Sequence, residues 1–166
     1  DFGGAKAELD DGIIFMMAGG SPAHARIASN LIFALRRRLD GTGCFPFGSD
    51  LATRTGERSI RYPDVSVYCD HPTDPAKEDS KLIGDPTIVF EVLSPSTEQN
   101  DERMKLPEYR ALSGVKAIVL VKPEDQTVRL VERTAIGWVD HLATNSDLAL
   151  DALGIIIPHT EIFSRG

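Results

Sequence analysis

At 166 residues, 42% apolar and 26% charged, the chain has the size of one domain spanning 1–166 and a composition well away from chains that stay disordered. A formal net charge of −7 argues against a domain coated in phosphate-binding positive surface, although a nuclease needs acids in its site and can confine its basic residues to one groove. No apolar run approaches the ~20 residues that cross a bilayer, and the opening DFGGAKAELDDG lacks the basic end and apolar centre of a secretion signal, so a cytoplasmic protein without a membrane partner is expected.

In chain order, Ala7 to Met17 reads as two short strands around Asp11-Gly12, a dipeptide suited to the positive φ angles of a tight hairpin turn. Ser21 then caps a helix with Pro22 at its first position, and Ile27, Leu31, Ile32, Leu35 and Leu39 recur at helical spacing as far as Asp40-Gly41. From Cys44 to Tyr68 the runs CFPF, DLATRT and YPDVSVY predict short strands. Cys44 and Cys69 form no disulfide framework and no CxxC pair, so two reduced thiols are expected. His71 to Pro86 is a polar, Pro-containing loop or short helix. TIVFEVL is the most strand-like segment, followed by a helix capped at Ser96 or Thr97 and running toward Ser113-Gly114. VKAIVLV, TVRLVER and GWVDHLA predict further strands, and IIIPHTEIF a strand with a helical turn. The sum is a mixed α/β or α+β domain, a central mixed β-sheet flanked by helices.

Glu91 sits inside the apolar run TIVFEVL, where an unpartnered carboxylate is costly. Asp64 stands at the entrance of YPDVSVY, so two carboxylates on neighbouring strand ends can converge. Divalent-metal phosphodiester hydrolysis is the chemistry that most needs this, because hard oxygens hold the ion and the ion supplies the missing counter-charge. The ordinary alternatives are a salt bridge from Arg or Lys on a facing element for Glu91, and a turn or cap role for Asp64. The basic residues that such a groove could use are Arg36, Arg37, Arg38, Arg54, Arg58 and Arg61, each of which reads equally as a solvated surface charge.

Pro63-Asp64, the string Glu91-Val92-Leu93-Ser94-Pro95-Ser96-Thr97, then Asp101, Lys105 and Tyr109, with Glu8-Leu9, Ser21-Pro22 and His24 upstream and Pro158 and Phe163 in the tail, resemble the Uma-type family described as putative restriction endonucleases. That family belongs to the PD-(D/E)XK nuclease superfamily. The resemblance implies a restriction-endonuclease-like fold, Mg²⁺ or Mn²⁺ as cofactor, DNA as partner and a homodimer. It also implies roles: Asp64 and Glu91 as metal ligands, Glu8 as an additional acidic ligand, and Lys105 orienting water or stabilising the phosphate.

The superfamily lysine slot two residues after the strand acid is Leu93 here, and Lys105 on the following helix is the residue that matches, with Asp101 on the same face. Pro107 either bends that helix or begins a new helical segment. Glu8 reads alternatively as a solvated charge at a frayed end, and Lys105 as half of an exposed Asp-Lys pair. Ser94, Ser96 and Thr97 lack a GxSxG elbow or a nearby histidine and read as cap and turn residues. His24 reads as a helix-start contact or a substrate or metal contact, and Tyr109 as a packing residue with its hydroxyl near the site.

The reading is therefore a metal-dependent endonuclease with catalytic residues Asp64, Glu91, Lys105 and Glu8. Two alternatives stand beside it: an inactive nuclease-fold module that binds nucleic acid or protein, and a phosphodiesterase acting on RNA or a small phosphodiester.

Overall fold

The structure, a computed structural model, describes residues 6–17, 19–69, 80, 82–95 and 101–166. Its organising feature is a parallel pair of strands, β7 (Ile88–Val92) and β8 (Ala117–Lys122), in register from Ile88 opposite Ala117 to Val92 opposite Val121. Parallel strands cannot be joined by a tight turn, so the chain must cross over to return to the same end of the sheet. That connection carries a π-helical turn (Asp101–Lys105) running directly into the short helix α2 (Leu106–Ala111).

The pair lies inside a six-stranded mixed sheet of order β10 (Gly137–Thr144), β9 (Thr127–Thr134), β8, β7, β6 (Val65–Cys69) and β3 (Cys44–Gly48), in which every other pairing is antiparallel. Side chains alternate across a strand, and β7 divides accordingly. Ile88, Phe90 and Val92 join one core with Ile27, Leu31 and Leu35 of helix α1 (Pro22–Leu39). Val89 and Leu93 join a second core with Leu106 and Tyr109. Glu91 shares the second face by the same two-residue period and is thereby aimed at α2.

A four-stranded antiparallel sheet, ordered β2 (Ile13–Met16), β1 (Ala7–Asp10), β5 (Ser59–Arg61) and β4 (Thr53–Gly56), carries the first acid. The β1–β2 turn uses Asp11 and Gly12 at φ 43° and 85°, the pair of positive angles that the dipeptide predicted. At Gly12 the positive φ is what favours glycine, since a Cβ there would meet only the movable end of the exposed Arg58 side chain. Helix α1 begins as the sequence dictates: the Ser21 hydroxyl accepts from His24 N at 3.2 Å, with Pro22 in the first turn. At its other end Arg38 meets Glu161 of α3 (His159–Ile162) at 2.9 Å and donates to Ile156 O of β12 (Ile155–Ile157), which pairs with β11 (Leu148–Leu150).

Several expectations change. The helix expected after TIVFEVL is in its described part a π-helical turn running directly into α2, with Pro107 in the first turn of α2. The caps proposed at Ser96 and Thr97 lie outside the described residues, as does most of the loop from His71 to Pro86. Strands β5 and β11, three residues each, carry too little pattern to read in advance. The two reduced thiols are a correction: Cys44 and Cys69 face each other directly across β3 and β6 and are joined in a disulfide. Nothing local announces that pairing, because the register of strands 25 residues apart creates it.

The bond ties edge strand β3 to the strand that Asp64 precedes. Closing a 25-residue loop restricts the unfolded chain, and reduction, or the double change Cys44→Ser with Cys69→Ser, is expected to lower stability by about 3 kcal/mol. Urea unfolding with and without dithiothreitol measures it.

Candidate active site

The β6–β7 register places the two strand acids. Val65 and Phe90 are the last pair of the antiparallel ladder, with Asp64 immediately before Val65 and Glu91 immediately after Phe90, so both acids flank the end of that ladder. Asp64 caps the end of that ladder: its Oδ2 accepts from Val92 N at 2.7 Å and from His24 Nε2 at 3.0 Å. The helix-start histidine is thus a carboxylate partner, held by the cap that fixes the first turn of α1.

Glu91 is buried, and its Oε1 accepts from the Tyr109 hydroxyl at 2.7 Å, with Lys105 Nζ at 3.7 Å from the same oxygen. The salt bridge from a facing element, offered as the ordinary alternative for Glu91, is what the geometry contains. Lys105 is only 7% exposed and lies 3.1 Å from Glu8 Oε1, so one ammonium bridges two acids from different sheets. An exposed Asp-Lys pair does not describe it, and the Asp101 side chain lies outside the described residues. The widened π turn immediately precedes α2 and ends on this lysine; such turns recur at functional sites.

Glu8, also 7% exposed, is not a frayed-end charge. Strand β1 pairs it with Phe15 on one side, and its Oε1 accepts from Tyr62 N at 3.1 Å. Glu8, Asp64, Glu91 and Lys105 all line one open cavity of about 590 Å³, between the first hairpin, the start of α1, the ends of β6 and β7 and the π-helical turn.

Arg61 is the functional-site neighbour that sequence reasoning missed, having been considered only as one of six groove arginines. It is 1% exposed and surrounded by acids. Two of its nitrogens donate to Glu108 at 2.7 and 2.8 Å, Nη2 also donates to Asp10 Oδ1 at 2.7 Å, and Nη1 lies 3.6 Å from Glu8 Oε2. Burial by itself lowers its pKa, but the hydrogen bonds and charge of Glu108, followed by those of Asp10 and Glu8, outweigh it and hold the pKa above its ordinary value. A usable signal existed for Asp10, two residues from Glu8 on one strand and hence on the same face. The six arginines do not share a groove. Arg61 lines the acidic cavity, Arg36 and Arg37 line a different one at the far end of α1, and Arg38 is committed to Glu161.

Residues 2–155 match the Uma2 family, described as "Putative restriction endonuclease". The chain belongs to this family. It is 34% identical over 153 residues to the uncharacterized protein slr1290 of Synechocystis sp., covering 90% of this chain and 79% of that protein. It is 30% identical over 118 residues to the uncharacterized protein sll1609 of the same organism, covering 70% and 66%. Among solved structures it superposes on one described as a putative nuclease belonging to DUF820 from Anabaena variabilis, with a TM-score of 0.78, 17% identity, and coverage of 95% of this chain and 89% of that one. At that identity the likeness concerns the fold, which is restriction-endonuclease-like and of the mixed α+β class. The Uma2 match places the chain in a nuclease family. No helix among the described residues is long and apolar enough to cross a membrane.

In this Uma2 chain Leu93, the slot where the wider superfamily has its lysine, is buried in the second core beside Leu106 and Tyr109. Lys105 brings an ammonium to the acids from the crossover instead.

Removing Arg61 would leave Asp10 and Glu108 without their cation and Glu8 with Lys105 alone. Arg61→Met is expected to destabilise the fold by about 3–5 kcal/mol. A urea titration at neutral pH reads this, and a loss below about 1 kcal/mol would show that the network does not hold β5 to β1 and α2.

Proposed function

We propose that the protein is a divalent-metal-dependent endonuclease that hydrolyses phosphodiester bonds, with DNA as its substrate. The observation that carries this reading is that Asp64, which accepts from Val92 N at the end of the β6–β7 ladder, lines one cavity with Glu91 and the buried amine of Lys105. Membership of a nuclease family supports the reaction class.

The donor set suits a hard cation. Its members are carboxylates, and Asp64 Oδ1 has no hydrogen-bond partner among the described residues, since both of its contacts use Oδ2. Glu8, Asp10, Asp64 and Glu91 line the cavity against the two cations Arg61 and Lys105, an excess that one divalent ion would balance. Among the described residues no three His, Cys, Asp or Glu side chains are placed to hold a metal by themselves. Mg²⁺ is commonly held by one or two carboxylates with waters completing its shell, and Asp64 and Glu91 would hold it in that form, whereas Glu8, the additional acid, is engaged by Lys105, Arg61 and Tyr62 N and would act beside them rather than as a third ligand.

Mg²⁺ or Mn²⁺, when bound, supplies an acidified water and positive charge at the scissile phosphate. The chain's own groups prepare the site. Val92 N–H and His24 fix the Asp64 carboxylate, and the Tyr109 hydroxyl fixes Glu91, so neither acid needs to reorganise. Lys105, held by Glu8, orients the attacking water or stabilises charge on the pentacovalent phosphate.

The test is cleavage of supercoiled plasmid in Mg²⁺, Mn²⁺ or EDTA, by wild type and by Asp64→Asn, Glu91→Gln and Lys105→Met. Metal-dependent nicking is expected, abolished by EDTA and reduced roughly 100-fold or more in each variant. Calorimetric titration with Mn²⁺ should show weakened uptake in Asp64→Asn and Glu91→Gln. Nicking that persists in EDTA or in both acid variants would overturn the reading. DNA binding by folded wild type without any cleavage would replace it with a non-cutting nuclease-fold module.

A further inference from the structure

Strand β2, the outer strand of the four-stranded sheet, exposes every one of its residues, and all four are apolar: Ile13, Ile14, Phe15 and Met16. An edge strand of this kind is a liability that proteins normally blunt with charge or proline. Here the strand borders the acidic cavity. Phe15 pairs in register with Glu8, and directly opposed residues of an antiparallel pair project to the same face, so a ring that is 50% exposed stands beside the proposed additional acid. Phe15, Met16 and Met17 line the cavity together with Tyr62, whose backbone amide donates to the same Glu8. The site therefore has an ionic wall and an apolar, partly aromatic one.

We propose that this apolar wall seats an unpaired nucleobase against Phe15, so that the substrate is single-stranded or locally unpaired nucleic acid. The inference rests on the endonuclease reading above and narrows its substrate. Its physical basis is a comparison of the two sources of affinity for a nucleic acid. Phosphate contacts contribute through Lys and Arg that displace counterions, yet the chain carries a net charge of −7 and both cations of the cavity are committed to carboxylates. The phosphate contribution at the site is small, and stacking of bases on aromatic rings is the other general source. In a duplex the base faces are covered by their neighbours, leaving an apolar platform nothing to bind. An unpaired base presents the face that Phe15 can cover, with Tyr62 as a second ring on the same cavity.

The experiment is fluorescence anisotropy in EDTA with a labelled single-stranded 12-mer, the same strand annealed as a duplex, and the same strand with abasic sites. Wild type, Phe15→Ala and Phe15→Trp are compared, and cleavage rates of the single strand and duplex are measured separately in Mg²⁺. Wild type is expected to bind and cut the single strand in preference to the duplex. Phe15→Ala should weaken single-strand binding about 5- to 100-fold, the range for loss of one base–aromatic stack, Phe15→Trp should retain it, and the abasic strand should behave as the alanine variant does. The slope of log affinity against log salt should be shallow, equivalent to about one to three phosphates at roughly −0.7 each.

Equal or preferred duplex binding, an unchanged Phe15→Ala, or abasic binding equal to the normal strand would overturn the proposal. So would light scattering that shows a dimer dissolved by Phe15→Ala with strand binding unchanged, because β2 would then cover a second copy. Phe15 is half-exposed, so its replacement should leave the fold intact, which circular dichroism checks. Absence of all cleavage in Mg²⁺ would sink the endonuclease reading while the anisotropy still decides the platform.

Discussion

The ammonium of Lys105 between Glu8 and Glu91 is the interaction on which the site depends. The two acids come from different sheets, and each is buried far enough that an isolated charge would be strongly disfavoured. One cation serves both, and in doing so it links the hairpin sheet, the central sheet and the crossover. Arg61 does the same one layer away, gathering Glu8, Asp10 and Glu108 from β1 and α2. The two cations share Glu8, so loss of either exposes an acid that the other cannot neutralise alone.

Such an arrangement is a poor way to gain stability, since the desolvation of buried ions consumes most of their attraction. Its value lies in position. Hydrogen bonds from Val92, His24 and Tyr109 hold Asp64 and Glu91 on the outside of the same network. Carboxylates held in this way do not relax when charge nearby changes, a property that the proposed endonuclease reaction would use at the phosphate. The surrounding cores supply the stiffness: α1 on one face of β7 and α2 on the other.

The parts of this that could be read from sequence are the parts written locally. Asp11-Gly12 specifies its turn, Ser21-Pro22 specifies a helix start, and an acid inside TIVFEVL announces that a counter-charge must exist. What could not be read is which counter-charge answers it. Arg61 meets Glu108 from 47 residues away and Asp10 from 51, and no periodicity within either segment encodes that meeting. The Cys44–Cys69 bond is of the same kind: each cysteine sits in an unremarkable short strand, and only the β3–β6 register makes them neighbours. The role of His24 was legible as a place, the first turn of α1, but its partner Asp64 was not, because that requires knowing where β6 begins relative to the helix.

The burial of Leu93 leaves an ammonium beside these acids to come from another part of the chain. By strand alternation Leu93 lies on the face of Glu91, where the superfamily lysine would normally stand, yet here that position packs against Leu106 and Tyr109. Placing an ammonium there would remove an apolar residue from the smaller core and set a charge beside the hydrophobic foot of α2. Delivering it from the crossover keeps that core closed. The wider π-helical turn ends on Lys105 and α2 follows at Leu106 without a break, so the helix that carries Tyr109 to Glu91 also fixes the backbone just after the lysine. Pro107 does not interrupt this path, because the π-helical turn runs directly into α2 and Lys105 between them is itself in the right-handed helical conformation, so the backbone on both sides of the lysine is fixed by helix.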